Sequence, residues 1–124
     1  MSEQRTLFER IGGTEAVKAA VAKLYEKVLT DPLLAPFFAD IDVDKLRRSQ
    51  SAFVTVAFGG QNNYNGASMR VAHKKLVERG LSDQHFDAVA EHLRTALQEL
   101  SVTDGMIAEA LAIVETTRQD VLNR

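Results

Sequence analysis

The chain has 124 residues, of which 45% are hydrophobic and 26% charged, with a formal net charge of −2. These values predict a single globular domain over residues 1–124 and give no support for a nucleic-acid surface. No apolar run reaches the roughly 18 residues that a membrane span needs, and the absence of cysteine excludes disulfides and thiolate metal sites. Since the segment MSEQRTLFERIGG also lacks the apolar stretch of a signal peptide, we expect a cytoplasmic protein.

The first quarter of the chain predicts a short apolar segment and then a long helix. The short segment (residues 7–11) ends at Gly12-Gly13, and Thr14 is predicted to cap the helix that follows. That helix carries an apolar stripe at helical spacing, with Tyr25 at its border, and it ends at Asp31-Pro32. The stripe consists of Val17, Val21, Leu24 and Val28.

The next region predicts a bend, a second long helix and a polar loop. The bend is LLAPFFADID, and a helix beginning at Asp42 or Asp44 runs to Phe58 before Gly59-Gly60. The stretch QNNYNGAS that follows is predicted to be a loop because of its glycine and asparagine content.

The second half predicts three further helices. A short one around MRVAHKKLVER ends at Gly80, and a long one is capped by Ser82 or Asp83. Thr103 or Asp104 caps the last helix. Residues predicted to face inward are Phe86, Val89, Ala90, Leu93, Leu97 and Leu100 in the long helix, and Ile107, Leu111, Val114 and Val121 in the last.

The fold class that these elements predict is all-α, because the alternation typical of strands is absent. About six helices of unequal length are expected. An equal-length four-helix bundle is one possible arrangement. The short first segment and the proline-bent FF corner favour an irregular helical stack instead.

Two patterns that resemble metal sites are weak on inspection. The stretch DIDVDK begins like an EF-hand loop, but Lys45 and Ser51 stand where that loop needs Gly and Glu. Its carboxylates are better explained by the positive end of a helix. His85 and His92 share one side of a helix, yet a zinc site would need a third ligand.

His73 lies on an apolar face of its helix and allows two interpretations. Met69 and Val77 flank it one turn away on either side. From the residues alone, a core histidine bonded to a carbonyl is the simpler interpretation. The alternative is a neutral imidazole that serves as the single axial ligand of a flat, apolar cofactor. The adjacent pair Lys74-Lys75 then lies near acidic groups on the rim of that cofactor, or else simply faces solvent.

Gln50 raises a similar question, because its amide falls within the apolar stripe of the second long helix. Burying an amide without a partner costs roughly 1–3 kcal/mol. Gln50 therefore turns outward, bonds to another buried polar group, or faces a cavity that binds something. Tyr25 is the other polar group beside an apolar stripe.

The sequence resembles the group I truncated (2-on-2) haemoglobins, and the resemblance runs nearly from end to end. The segments that carry it are IGG (11–13), LYEKVLTDPLLAPFFADID (24–42), QSAFVTVAFGG (50–60), MRVAHKKLVERGLSDQHFDAV (69–89) and the VLNR tail. It implies a globin-like 2-on-2 helical sandwich around non-covalently bound haem. The pairs Gly12-Gly13 and Gly59-Gly60 match the glycines that allow this shortened fold to turn sharply.

Position by position, the resemblance implies that His73 is the proximal iron ligand and that Tyr25 and Gln50 hydrogen-bond to ligand on the distal side. Leu46 occupies a position that is polar in many globins, so ligand fixing falls on Tyr25 and Gln50 alone. Phe38 is expected to pack on the haem face. The remaining pocket residues implied are Phe53, Met69, Leu76, Phe86 and Val89, with Lys45, Tyr64 and Arg70 as candidates for the haem propionates.

Two departures from cyanobacterial relatives refine these expectations. Ser49 stands where those proteins carry a second distal histidine, so iron ligation by that route is excluded. Thr117 or a neighbour stands where they carry a histidine that bonds to a haem vinyl group. The haem is therefore expected to be held without a covalent link.

The resemblance leaves two functions open for a protein that binds O2, NO and CO. One is reversible oxygen binding, for storage, transport or sensing. The other is nitric oxide dioxygenation, which yields nitrate and needs a separate reductase, because the chain has no flavin or nicotinamide fingerprint. Tight oxygen retention by two donors favours the second, and a monomer is expected. A haem-free helical scaffold with His73 in its core is the third interpretation.

Overall fold

The structure is a computed structural model that describes residues 6–59 and 66–124. Over these ranges the chain forms seven α-helices and one 3₁₀ turn, and no strand. The helices are α1 (Leu7–Ile11), α2 (Gly13–Thr30), α3 (Val43–Phe58), α4 (Gly66–Glu78), α5 (Asp83–Glu99), α6 (Asp104–Glu115) and α7 (Arg118–Val121), with the 3₁₀ turn Ala35–Phe38 between α2 and α3. The predicted all-α class is confirmed for the described part of the chain.

Three of the predicted helix starts are confirmed by their caps. The Asp42 carboxylate accepts a hydrogen bond from the Lys45 backbone N–H at 3.2 Å. Ser82 caps α5, and the Thr103 hydroxyl accepts from the Met106 backbone N–H at 3.3 Å. The Asp42 and Thr103 side chains each satisfy a donor that the first helical turn leaves unpaired.

The prediction that Thr14 caps the second helix is wrong. That helix begins at Gly13, and Gly12 is its N-cap. Gly12 and Gly13 both adopt positive φ, +122° and +76°. Since glycine alone enters this region without steric cost, the pair turns the chain sharply and α2 starts earlier than the cap pattern indicates.

The predicted polar loop QNNYNGAS extends too far at its C-terminal end, because Gly66, Ala67 and Ser68 already belong to α4. The remainder of that stretch lies outside the described residues. The count of about six helices is also low, because residues 118–121 form the separate helix α7.

The core lies between two pairs of helices, α2 with α3 and α5 with α6. Helix α2 packs against α3 and α5, α6 packs against α5, and α1 crosses α2 and α6. The predicted apolar stripe of α2 faces this core, with Val17 and Val28 almost fully buried. Burying one such side chain stabilises the fold by roughly 1.5–3 kcal/mol. The other large residues of the core are Leu7, Val21, Leu24, Leu34, Phe58, Leu93, Leu97 and Ile107.

Helix α4 lies apart from this core. Its main packing partner is α7, and none of its side chains is fully buried. Its apolar side chains Met69 and Leu76 are half-buried and stand outside the core cluster. The fold therefore places one helix, the one that carries His73, beside the core without packing it into the core.

None of the helices in residues 6–59 and 66–124 combines the length and apolarity that crossing a membrane requires.

Candidate functional site

The His73 imidazole is oriented by its own helix. Its Nδ1 lies 2.8 Å from the carbonyl oxygen of Met69. Because a carbonyl only accepts, Nδ1 carries the proton, and the lone pair of the neutral ring is on Nε2. This arrangement is typical of a histidine that ligates a metal through Nε2, with the second nitrogen held by an acceptor.

The structure disfavours the interpretation of His73 as a core residue. The imidazole is only half-buried and lies on a helix without any fully buried side chain. The carbonyl bond that the core interpretation predicts is present, but it occupies Nδ1 only. Nε2 therefore remains available to a ligand from outside the chain.

Most of the apolar residues predicted to contact the haem, which we call the apolar wall, are not part of the central core. Phe53, Met69 and Leu76 are half-buried and lie outside the core cluster, whereas Phe86 is 8% exposed. The other predicted apolar contacts, Phe38, Leu46 and Val89, are half-buried and pack against the edge of the core. Together these side chains supply apolar surface between the core and α4, as a flat hydrophobic group requires.

Tyr25 is the most buried of the predicted polar site residues. It is only 6% exposed, and its ring meets the Phe38 ring edge-on, with centroids 6.0 Å apart. Burial raises the pKa of the Tyr25 hydroxyl well above its ordinary value, because the phenolate would lose its hydration. The side chain is therefore a neutral hydrogen-bond donor throughout the physiological pH range.

Gln50 is half-buried on α3 and, like Tyr25, has a polar group that is available to hydrogen-bond to a ligand. Within the described residues, neither the Gln50 amide nor the Tyr25 hydroxyl makes a hydrogen bond to another protein atom. Polar groups in apolar surroundings normally have partners. Two such donors, on α2 and α3, are therefore suited to a polar ligand held near the apolar wall.

The three residues predicted to contact the haem propionates differ in what the structure shows of them. Lys45 is exposed at the start of α3. The Arg70 guanidinium already has partners, because its Nε donates to Asp120 at 2.9 Å and its Nη2 to the Arg124 carbonyl at 2.5 Å. A haem propionate would compete with both. Tyr64 lies outside the described residues.

Sequence reasoning missed Arg118, whose side chain is 18% exposed. Its guanidinium bonds to Asp83 at 2.9 Å, Asp87 at 2.5 Å and Glu115 at 2.7 Å. It also lies over the Phe86 ring, 4.4 Å from the centroid. Of these contacts, only the Glu115–Arg118 pair could be predicted from the sequence, because the two residues are three positions apart along the chain.

The other two histidines have separate structural roles. His85 Nδ1 accepts from the Ser82 backbone N–H at 3.0 Å and so helps to cap α5. His92 Nε2 lies 2.7 Å from an Asp31 carboxylate oxygen, which joins α5 to the end of α2. In the described ranges no three His, Cys, Asp or Glu side chains converge as metal ligands.

The donor set fits the haem that the sequence resemblance implies. One imidazole offers a lone pair on Nε2, apolar side chains flank it, and two neutral donors come from other helices. An iron porphyrin needs one axial nitrogen, an apolar slot and, for a polar ligand, hydrogen-bond donors.

Comparison with known proteins places the chain among globins. The family model described as Bacterial-like globin matches residues 6–123. The chain is 51% identical to Group 1 truncated hemoglobin GlbN of Synechocystis sp., over 96% of this chain and 98% of that protein. It is 42% identical to the Group 1 truncated hemoglobin of Tetrahymena pyriformis, over 100% of both chains.

Solved structures agree. The 2/2 hemoglobin of a Synechococcus species, in the cyanomet state with covalently attached heme, is similar with a TM-score of 0.89 and 48% identity, over 96% of this chain and 99% of that one. The Fe(III) form of truncated hemoglobin from Tetrahymena pyriformis has a TM-score of 0.85 and 43% identity, over 95% and 98% of the two chains. The predicted 2-on-2 globin fold is confirmed.

Proposed function

This chain belongs to the bacterial-like globin family, among the group 1 truncated haemoglobins that bind diatomic ligands at haem, and we propose that it converts nitric oxide to nitrate. The observation that supports this activity best is that Tyr25 is a buried residue whose neutral hydroxyl has no protein partner in the described part of the chain. A bound haem would supply a ferrous centre for O2, NO or CO and the redox chemistry that oxidises nitric oxide with O2.

In this proposal His73 holds the iron through Nε2. The bond from Nδ1 to the Met69 carbonyl fixes the ring orientation and increases its basicity. A histidine that binds iron through Nε2 does so as the neutral imidazole, so it would contribute no net charge to the site.

Tyr25 and Gln50 are proposed to donate hydrogen bonds to the distal ligand. These two donors would stabilise a diatomic ligand that carries partial negative charge and would slow its release. Slow release leaves time for nitric oxide to react, which is an advantage for detoxification and a disadvantage for delivery. Leu46 adds apolar surface and no donor.

The apolar residues are proposed to hold haem without a covalent bond. Phe38 packs on the haem face, and Phe53, Met69, Leu76, Phe86 and Val89 line the slot and exclude water. Lys45 and Arg70 are the described candidates for the propionates. The tail ETTRQDVLNR has no histidine or cysteine, and Thr117 is buried with its hydroxyl bonded to the Val114 carbonyl at 2.7 Å.

The proposal includes a separate reductase and a monomeric chain. Converting one nitric oxide and one O2 to nitrate consumes one electron, so each turnover would need one electron from outside the chain. Since the chain carries no fingerprint for flavin or nicotinamide, that electron comes from another protein.

Rapid mixing tests the activity. The oxygenated holoprotein is mixed with nitric oxide, and we expect about one nitrate per haem, formed at a rate near the diffusional ceiling. Turnover is then measured with an added reductase and excess oxygen. Reversible oxygen binding with little nitrate would instead assign the protein to oxygen storage, transport or sensing.

A further inference from the structure

A cleft with a local excess of positive charge lies between α2 and α3. It is lined by Lys18, Val21, Ala22, Asp44, Arg47, Arg48 and Ser51, and we refer to these residues as the basic cleft. Three of its side chains are cationic and one is anionic. The chain as a whole carries a net charge of −2, so the cleft is opposite in sign to the molecule.

Arg47 in this cleft has unused hydrogen-bonding capacity. Its nearest carboxylate is Asp44, whose Oδ1 lies 3.8 Å from Nη1, too far for a good hydrogen bond. Its Nε is buried without a hydrogen-bond partner, alone among the side-chain polar atoms of the described residues. By contrast, Arg118 and Arg10 make bonds of 2.5–2.9 Å to carboxylates. An acceptor brought by a partner would satisfy Arg47.

The basic cleft adjoins the proposed haem site. Arg47 directly follows Leu46 and Ser51 directly follows Gln50, so the cleft occupies the neighbouring face of α3. Lys18, Asp44 and Arg48 are exposed, which makes the cleft open to a protein surface. The cleft is therefore lined by the same two helices, α2 and α3, that carry Tyr25 and Gln50.

We propose that the basic cleft is the docking surface for an acidic one-electron carrier protein that reduces the ferric haem. This inference rests on the proposed function, which requires one electron in each cycle. The electron passes from the reduced carrier to Fe(III), giving Fe(II) and an oxidised carrier, and no covalent bond forms or breaks. Complementary charge favours this partner, because it accelerates encounter and orients transient redox complexes.

Binding is tested first, independently of activity. The holoprotein in its ferrous carbonyl form is labelled with 15N and titrated with an oxidised plant-type [2Fe–2S] ferredoxin as the acidic carrier. We expect NMR perturbation concentrated in residues 18–22 and 44–51. In the variant K18Q/R47Q/R48Q the affinity at low salt is expected to fall about tenfold.

A matched variant controls for total charge. K23Q/R79Q/R94Q removes the same three positive charges from positions outside the cleft. We expect its affinity to stay within about twofold of the parent protein. Equal losses in the two variants would show that only overall charge matters and would overturn the proposal.

Reduction kinetics supply the second readout. The rate of ferric haem reduction by the reduced ferredoxin is expected to fall about tenfold in the cleft variant at about 20 mM salt. At about 200 mM salt the difference should largely vanish, because screening shortens the reach of charges. Reduction by a small uncharged reductant should be unchanged, which shows that the haem site is intact.

Two further outcomes would overturn the inference. Perturbation of amides elsewhere would place the docking surface on another face. Loss of binding to phosphatidylserine vesicles in the cleft variant, with carrier reduction unaffected, would assign the cleft to an anionic membrane surface. Failure of the proposed function is detected separately, because nitrate formation in a single turnover requires no carrier.

Discussion

At the scale of single residues, the proposed function depends on a donor that is hidden from water and stays protonated. Tyr25 meets both conditions, because the residue is only 6% exposed beside the Phe38 ring and its burial raises the pKa of the hydroxyl. A buried donor is worth more than an exposed one, since water does not compete for the same acceptor.

Replacing this tyrosine tests its role directly. In the proposed site, Tyr25→Phe removes one hydrogen bond to the ligand and keeps the ring. We expect the oxygen dissociation rate to rise at least about tenfold, equivalent to about 1.4 kcal/mol. Stopped-flow displacement of oxygen by carbon monoxide gives this rate, and carbon monoxide release should change much less because that ligand carries little negative charge. An unchanged oxygen rate would refute the role.

The proposed axial ligand, His73, gives a second prediction at this scale. We expect His73→Ala to bind haem weakly and to lose the normal optical bands of a histidine-ligated globin, because no other histidine lies on α4. Absorption spectra after reconstitution with hemin check this. His85→Ala, which alters the cap of α5, is the control and should retain the spectrum. Normal spectra for His73→Ala would contradict the assignment.

From the residues alone, His73 and Gln50 stand out as polar groups on apolar helical stripes and Tyr25 as one at the border of a stripe, whereas their roles at the site are what the family resemblance implies. The engagement of Arg70 could not be foreseen. Its partner Asp120 is 50 residues away, and only the fold brings α7 to α4. Pairing between distant charged residues leaves no periodic signal, so the sequence does not predict which cationic side chains already have partners.

At the scale of elements, α7 holds the helix that carries His73. Besides the Arg70–Asp120 ion pair, the Asn123 amide donates to the Arg70 carbonyl at 3.0 Å. The Asp120 carboxylate also lies so close to Gly66 that a Cβ there would be 2.8 Å from an oxygen. Since α4 has little other packing, these contacts largely determine where the imidazole sits.

Breaking the ion pair should therefore affect haem retention more than global stability. For Asp120→Asn we expect a decrease of at most about 1 kcal/mol in the free energy of unfolding, because the pair is partly exposed. Haem transfer to excess apomyoglobin, followed optically, should be about threefold faster. Asp40→Asn, which removes an exposed carboxylate elsewhere, is the control. Equal transfer rates in the two variants would mean that α7 does not position α4.

The helix boundaries show what local patterns can and cannot predict. Asp42, Ser82 and Thr103 cap their helices as expected, because capping is an interaction between near neighbours. Thr14 fits the same pattern but lies inside α2, since two consecutive glycines at positive φ begin that helix earlier. Backbone conformation, which the cap pattern does not include, decided that boundary.

At the scale of the whole molecule, carboxylate–guanidinium pairs join the C-terminal segment to α5. Asp83 is their common partner, because it bonds to Arg124 at 2.6 Å and to Arg118 at 2.9 Å. These bonds, first that of Arg124, lower the pKa of the Asp83 carboxyl below its ordinary value of about 4. The hydrogen bond to Arg118 likewise lowers the pKa of the Glu115 carboxyl.

The direction of these pKa shifts predicts how the stability of the fold changes at acidic pH. A carboxyl whose pKa is lower in the folded than in the unfolded chain stabilises the fold above its unfolded pKa, and this contribution is lost as the pH falls through the folded value. We therefore expect the thermal midpoint of the holoprotein, measured by circular dichroism, to fall steeply from about pH 5 downward. Asp83→Asn should lower the midpoint at neutral pH and flatten this decline, because the asparagine cannot take up the proton. Asp40→Asn should leave the profile of the parent protein nearly unchanged, and parallel profiles for all three proteins would show that the C-terminal ion pairs do not link the fold to pH.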